Sequence, residues 1–89
     1  MSEGASAAMP AYRSHKIVHA LKMKTIDFHA DGGATFVPEE SSFAPIVLSV
    51  EYCTKHEPKA GGYYVVYQGG YMSWSPADAF EDGYTRATT

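Results

Sequence analysis

The segment from Gly61 to Tyr84 predicts a tyrosine-rich β-hairpin that runs into a short helix. Its first strand, Tyr63 to Tyr67, contains only β-branched and aromatic residues, which favour an extended backbone. Gly69-Gly70 is typical of a two-residue hairpin turn, and Tyr71 to Trp74 would return as the second strand. We expect this segment to anchor one small α+β domain.

The turn at Gly69-Gly70 would place Tyr67 opposite Met72 and Val65 opposite Trp74. The more apolar face, predicted to face the core, then carries Tyr63, Val65, Tyr67, Met72 and Trp74. The opposite face carries Tyr64, Val66, Gln68, Tyr71 and Ser73. On that face, the residues predicted to contact a protein partner are Tyr64, Val66 and Tyr71, because tyrosine is enriched at interfaces. The alternative is partial burial that leaves the hydroxyls in water.

The hairpin is followed by signals for a helix start and a helix end. Ser75-Pro76 predicts a side-chain N-cap followed by proline at the first helical position. Asp78 adds a negative charge to the first turn, and Gly83 predicts a left-handed C-cap. The inward contacts of this helix are predicted to be Ala77, Phe80 and Tyr84.

Three further strands are predicted in the first half of the chain. Lys16 to His29 favours a strand over a helix, with a bulge or bend near Lys24-Thr25 where the apolar phase changes. Asp31-Gly32-Gly33 predicts a two-residue type I′ turn into a return strand, Ala34 to Val37. Pro45 to Leu48 is the third strand.

A second short helix is predicted from Val50 to His56. Ser49 is a suitable N-cap, and Glu51 places a negative charge in the first turn, where the helix dipole is positive. Pro58 marks the end of the helix. The side chains expected to face inward are Cys53 together with Val50 or Tyr52.

These elements predict a single α+β domain with a small curved antiparallel sheet of about five strands and two short helices. A partly open barrel is one form that such a sheet can take. The chain of 89 residues is expected to divide into a flexible N-terminal tail, 1–14, the domain, 15–84, and a C-terminal tail, 85–89.

Composition narrows the class of protein. The single cysteine, Cys53, cannot form an internal disulfide, which indicates a reducing compartment. No apolar run approaches the ~20 residues needed to cross a bilayer, so we expect a cytoplasmic protein with no membrane partner. A net charge of −3 argues against nucleic acid as a partner.

No residue pattern predicts a catalytic, cofactor or metal site, and we expect no enzyme activity and no cofactor. His15 and His19 would lie about 13 Å apart on a strand, too far for one metal ion. Cys53 and His56 would be neighbours on a helix, but a cysteine among apolar residues is usually a small core residue. Asp31-Gly32-Gly33 lacks the following helix of a phosphate-binding turn.

Several strings in the chain resemble one group of proteins. They are KxxxALKM, DGGATFVP and, most specifically, GGYYVVY followed by GYxSWSPADAFEDGY. The chain is similar in these strings to small uncharacterised proteins encoded in tailed-phage and prophage genomes, over Lys16 to about Tyr84. It departs from them at Gln68-Gly69, where an acidic residue and Asp stand in the group. The resemblance implies a phage context and action in the cytoplasm of a bacterial host.

The preferred functional hypothesis is a non-enzymatic phage accessory protein that binds another protein, either a host factor or a defence component. The first alternative is a virion or assembly component that acts through homo-oligomerisation, since edge strands of a small sheet can pair between copies. The second alternative is a small-ligand binder, such as one for a nucleotide signal.

Overall fold

The computed structural model describes residues 9–10 and 16–87. Most of the predicted N-terminal tail, 1–14, and the last part of the predicted C-terminal tail, 88–89, lie outside the described residues. The strands are β1 (His19–Phe28), β2 (Ala34–Pro38), β3 (Ile46–Leu48), β4 (Tyr63–Val66) and β5 (Met72–Ser75). The helices are α1 (Val50–His56) and α2 (Ala77–Gly83).

The five strands form one antiparallel sheet in the order β3-β2-β1-β4-β5. Strands β1, β2 and β3 follow one another, and β4 returns to lie beside β1, which is the Greek-key order. The sheet curls into a half-barrel, and a partly open five-stranded Greek-key barrel is the architecture of the OB-fold. The predicted α+β class, with its five-stranded curved sheet and two short helices, is confirmed.

Strand β1 carries the bend that its apolar pattern predicts. Its first part, including Lys22, pairs with β4, and its last part pairs with β2. Between Met23 and Thr25 the register with β2 shifts by one residue, so Lys24 lies in a bulge. The bulge lets one strand belong to both halves of the curled sheet.

Both hairpin turns are one residue longer than predicted. In the first hairpin the N–H of His29 donates to the carbonyl of Gly33 at 2.8 Å, which leaves three residues in the loop. In the second, the N–H of Tyr67 donates to the carbonyl of Tyr71 at 2.8 Å. The predicted two-residue turn at Gly69-Gly70 is therefore wrong, although both glycines do take positive φ, 95° and 91°.

The longer turn changes which residues of β4 and β5 share a face. Tyr64 lies opposite Trp74, Val66 opposite Met72, and Val65 opposite Ser73. The predicted face, which joined Val65 and Tyr67 to Met72 and Trp74, is therefore wrong, although Val65 is buried as predicted, 2% exposed, and Trp74 packs against the core. The face that contains Tyr64 and Trp74 is the one that packs against the main core.

The main core fills the concave side of the sheet and is covered by α1. Its buried members are Met23, Ala34, Phe36, Leu48, Tyr52 and Cys53. Of the α1 residues considered for the core, Tyr52 and Cys53 are each 7% exposed, whereas Val50 is 39% exposed. Helix α1 follows β3 directly, and the Tyr52 hydroxyl donates to the Ser73 carbonyl of β5 at 2.7 Å. The helix thus links the two edge strands that the open barrel leaves apart.

The turn before β4 requires glycine because of the indole of β5. A Cβ placed on Gly62 would lie 2.3 Å from the Trp74 ring, well inside contact distance. Gly62 itself is buried, and the Gly62 carbonyl accepts a hydrogen bond from the Met23 N–H at 2.8 Å. Because Gly62 has no side chain, the Trp74 ring can pack directly on the Gly62 backbone.

Helix α2 forms where predicted, but its ends differ from the prediction. Ser75 belongs to β5, the N-cap is Pro76, and the helix has no side-chain cap. Gly83 is the last helical residue and not a left-handed C-cap. The C-cap is Tyr84, whose backbone is extended. The three residues predicted to face inward are half-buried: Ala77, Phe80 and Tyr84. No helix in the described part of the chain is long and apolar enough to span a membrane.

Candidate protein-contact surface

The three residues predicted to contact a partner lie in different surroundings. Tyr64 is half-buried, and its ring centroid lies 5.3 Å from that of Phe36 in the core. Val66 is half-buried opposite Met72. Tyr71 is 52% exposed at the end of the β4–β5 loop. Of the three, Tyr71 is the most open to a partner, while Tyr64 already packs on its own domain.

A group of exposed and half-buried side chains lies near Tyr71, and we call it the hairpin patch. Its members come from the last turn of α1 and from the tip of the β4–β5 hairpin, and they are Lys55, His56, Tyr67, Tyr71 and Met72. The Tyr71 ring centroid lies 5.9 Å from that of Tyr67 and 6.3 Å from that of His56. Lys55 Nζ lies 5.1 Å from the Tyr71 ring centroid, and Met72 is 44% exposed.

Helix α1 is held in the position that brings its basic last turn to the hairpin. Ser49 Oγ accepts the Tyr52 N–H at 3.0 Å, which satisfies one of the free donors of the first turn. At the other end, Glu57 takes a left-handed conformation, φ 47°, and its N–H donates to the Cys53 carbonyl at 2.9 Å. The Tyr52 ring also packs on His56, with centroids 4.7 Å apart. These contacts fix one side of the hairpin patch.

Burial sets the protonation of the ionisable core groups near α1. Desolvation raises the pKa of the Tyr52 hydroxyl, and the neighbouring Tyr64 adds to the effect. Desolvation also raises the pKa of the Cys53 thiol, with a further contribution from the negative charge of Asp31. A raised pKa favours the neutral thiol, the form expected of the small core residue predicted at Cys53.

An open groove of about 390 Å³ lies on the other flank of α1, against the β1–β2 loop. It is lined by Phe28, Gly32, Cys53, Thr54, Glu57, Pro58 and Lys59. The Phe28 ring is 57% exposed there. The groove carries one acidic and one basic side chain at its rim, so its charge favours neither an anion nor a cation.

Of the two histidines considered as metal ligands, the structure describes one. His19 is exposed on β1, and His15 lies outside the described residues. The residues 9–10 and 16–87 contain no group of three or more His, Cys, Asp or Glu side chains that could hold a metal ion.

A comparison with solved structures finds a phage protein. The chain is similar to the monomeric form of the phage L decoration protein, determined in solution, with a TM-score of 0.61 and 27% sequence identity. The match covers 91% of this chain and 66% of the decoration protein, so the chain spans just under two thirds of that protein's length. No protein-family model and no curated protein matches the chain. The similarity agrees with the phage context that the sequence strings imply.

Sequence reasoning identified Tyr71 but missed the other members of the hairpin patch. His56 was considered only as the neighbour of Cys53 on a helix, and Tyr67 was assigned to the predicted core face. Met72 was assigned to the core face with Trp74; it does share that face, but as the first residue of β5 it is 44% exposed. Only the tertiary position of α1 brings residues near 55 and 71 together, and no local pattern encodes that.

Proposed function

We propose that this chain is a structural component of a phage virion, added to the surface of the assembled head in the manner of a decoration protein. The observation that carries the proposal is the similarity to the phage L decoration protein over 91% of the chain, at 27% identity. A match over this share of the chain supports a shared role more strongly than a match to one motif would.

This proposal takes the virion alternative over the host-factor hypothesis. In the proposed role the chain binds another phage protein, so the exposed aromatic surface needs no host partner to explain it. Nothing in the comparison supports a host factor or a nucleotide signal as the ligand. Self-association of the chain stays a prediction, and light scattering of the purified protein over a range of concentrations tests it.

We assign the contact with the head to the hairpin patch. Interface anchors are commonly Tyr, Trp, Met and Arg side chains that are exposed before binding and fully covered after it. Tyr71 is 52% exposed next to the capped end of α1, and Met72, which follows it in the chain, is 44% exposed. The patch is therefore largely pre-formed, which reduces the entropy lost on binding.

The first test asks whether the protein is part of the particle. Mass spectrometry of purified virions should detect the chain at a constant ratio to the major capsid protein. Heads from a phage that lacks the gene should then take up the purified protein, as measured by co-sedimentation. A chain that is absent from virions and does not sediment with such heads would overturn the proposal.

The second test locates the contact with a pair of matched variants. Tyr71→Ala should weaken binding to these heads by roughly tenfold, because an exposed aromatic anchor is lost. Phe43→Ala removes an aromatic side chain of similar exposure, 48%, from a loop outside the patch and should leave binding unchanged. Equal affinities of the two variants would move the contact away from the hairpin patch.

A further inference from the structure

The hairpin patch places an ammonium group over an exposed aromatic ring. Lys55 Nζ lies 5.1 Å from the ring centroid of Tyr71, and both residues are exposed. A cation–π pair of this kind contributes little while water covers it and more once a partner excludes the water. The pair therefore offers a partner both a positive charge and a flat apolar surface.

The charge of Lys55 is not neutralised within the described residues. Glu51 lies one turn earlier on the same side of α1, where it could have paired with Lys55. Instead, the ion pairs in residues 9–10 and 16–87 are Lys22–Glu81 at 3.4 Å and Arg86–Glu40 at 2.8 Å. Residues 63–75 of the hairpin contain no Asp, Glu, Lys or Arg. Among the five members of the patch Lys55 carries the only formal charge, on a chain with a net charge of −3.

We infer that the hairpin patch docks against an acidic segment of the phage capsid protein. A carboxylate of that segment would meet Lys55 Nζ, and apolar atoms beside it would cover Tyr71 and Met72. An acidic surface repels a net-negative chain in most orientations. The charge of Lys55 therefore favours the orientation in which the patch faces that surface. This inference rests on the proposed function and names the chemistry of the partner.

Nucleic acid is the other anion that such a patch could meet, and the observations favour protein. Binding to nucleic acid depends on several cations that neutralise several phosphates, and aromatic platforms for bases lie in basic surroundings. The patch has one lysine, and α1 carries two acidic side chains, Glu51 in its first turn and Glu57 at its C-cap. A single carboxylate-bearing segment matches this charge better than a polyphosphate chain does.

Charge variants and salt test the inference on heads that lack this protein. Lys55→Glu should bind roughly tenfold more weakly than the natural chain, and Lys55→Met should fall between the two. Glu51→Gln should bind more tightly, because it removes an acid that repels the same partner. The control is Lys24→Glu, at an exposed lysine in the β1 bulge outside the patch. It makes the same charge change as Lys55→Glu and should not alter the affinity beyond the small effect of net charge.

Salt gives a separate test. The affinity of the natural chain for the heads should fall between about 0.05 M and about 0.5 M NaCl, and the fall should be smaller for Lys55→Met.

The outcomes separate this inference from the proposed function. If the natural chain binds the heads but Lys55→Glu and Lys24→Glu bind equally well, the acidic contact is overturned and the virion role stands. If the natural chain does not bind the heads, both fail. If a single-stranded oligonucleotide displaces the protein from the heads and binds it with equal affinity, the partner is nucleic acid and the acidic-protein inference is overturned.

Discussion

Helices α1 and α2 have the same length, seven residues, but are held in different ways. Helix α1 has a side-chain N-cap from Ser49, a left-handed C-cap at Glu57 and two buried residues. Helix α2 has no side-chain cap and no buried residue. Stacked aromatic rings attach α2 to β4. The Tyr63 and Phe80 ring centroids are 4.2 Å apart, and those of Phe80 and Tyr84 are 4.7 Å apart.

The comparison shows that helix length says little about how a short helix contributes to a small domain. Helix α1 closes the gap between the edge strands and shares the main core, so it should unfold only with the whole domain. Helix α2 lies on the outside of β4 through partly exposed contacts, and such elements open with less free energy than the global value. The hairpin patch takes its lysine from the helix that is held more firmly, as a pre-formed binding surface requires.

The largest expected effect is that of Tyr52→Ala in α1. The variant should lower the free energy of unfolding by about 3–5 kcal/mol, because a buried ring and its hydrogen bond to the Ser73 carbonyl are both lost. The total free energy of unfolding of a native protein is about 5–15 kcal/mol, so this loss is a large part of it. Urea unfolding followed by tryptophan fluorescence of Trp74 measures the change.

Tyr52→Phe keeps the ring and separates its two contributions. Removing the hydroxyl alone leaves the Ser73 carbonyl without this donor and should cost about 1 kcal/mol. If Tyr52→Ala destabilised the domain no more than Tyr52→Phe, the ring would not belong to the cooperative core, and the contrast between the helices would disappear.

Phe80→Ala in α2 should have a smaller effect, about 1–2 kcal/mol, since its ring is half-buried rather than buried. The loss should be local as well, because both ring stacks of α2 pass through Phe80. Hydrogen exchange should therefore accelerate in peptides that cover 77–83 while peptides that cover 50–56 keep their protection. Equal acceleration in both peptides would mean that α2 is part of the same cooperative unit as α1.

The two helices also show what could be predicted from the sequence. The bounds Val50–His56 were predicted correctly because Ser49, Glu51 and Pro58 act locally, within a turn of the helix ends. The predicted caps of α2 were wrong because Ser75 pairs with Tyr63 in the sheet, which keeps Ser75 extended. Pairing with a distant strand overrides a local cap signal, and the sequence near Ser75 does not show it.

The candidate site was predicted in part, for a similar reason. The aromatic content of the β4–β5 hairpin identified Tyr71 as a surface residue. The length of the turn was not encoded by Gly69-Gly70 alone, since two adjacent glycines suit either a two-residue or a three-residue loop. That one-residue difference moved Tyr64 to the face of Met72 and Trp74, which packs against the main core, and moved Val65 to the opposite face.

A matched pair of serine variants compares the two N-termini directly. Ser49→Ala should lower the free energy of unfolding by about 1 kcal/mol, because the Tyr52 N–H loses its acceptor. Ser75→Ala should change it by less than about 0.5 kcal/mol, since the Ser75 hydroxyl makes only a 3.2 Å bond to the next carbonyl. Thermal unfolding of both variants under one condition gives the comparison. A larger loss for Ser75→Ala would show that the hydroxyl caps α2 in solution.

The smallest expected effect concerns the carboxylate that ties α2 to the sheet. Glu81 Oε2 accepts the Tyr63 hydroxyl at 2.7 Å and lies 3.4 Å from Lys22 Nζ. The hydrogen bond from Tyr63, followed by the charge of Lys22, lowers the pKa of Glu81. A carboxyl group whose pKa is lower in the folded state stabilises that state above its unfolded pKa, and the gain is lost as the pH falls through the folded pKa.

The hydrogen-exchange protection of 77–83 should therefore decrease below about pH 4.5, the ordinary pKa of a glutamate, once corrected for the intrinsic exchange rate. Glu81→Gln should remove this pH dependence and leave that of 50–56 unchanged. Glu40→Gln, which loses the exposed pair with Arg86, is the matched control and should keep it. Because Glu81 is exposed, the effect is screened by water and should shrink further at high salt. A pH dependence that survives Glu81→Gln would place the titrating group elsewhere, and α2 would then be held by its rings alone.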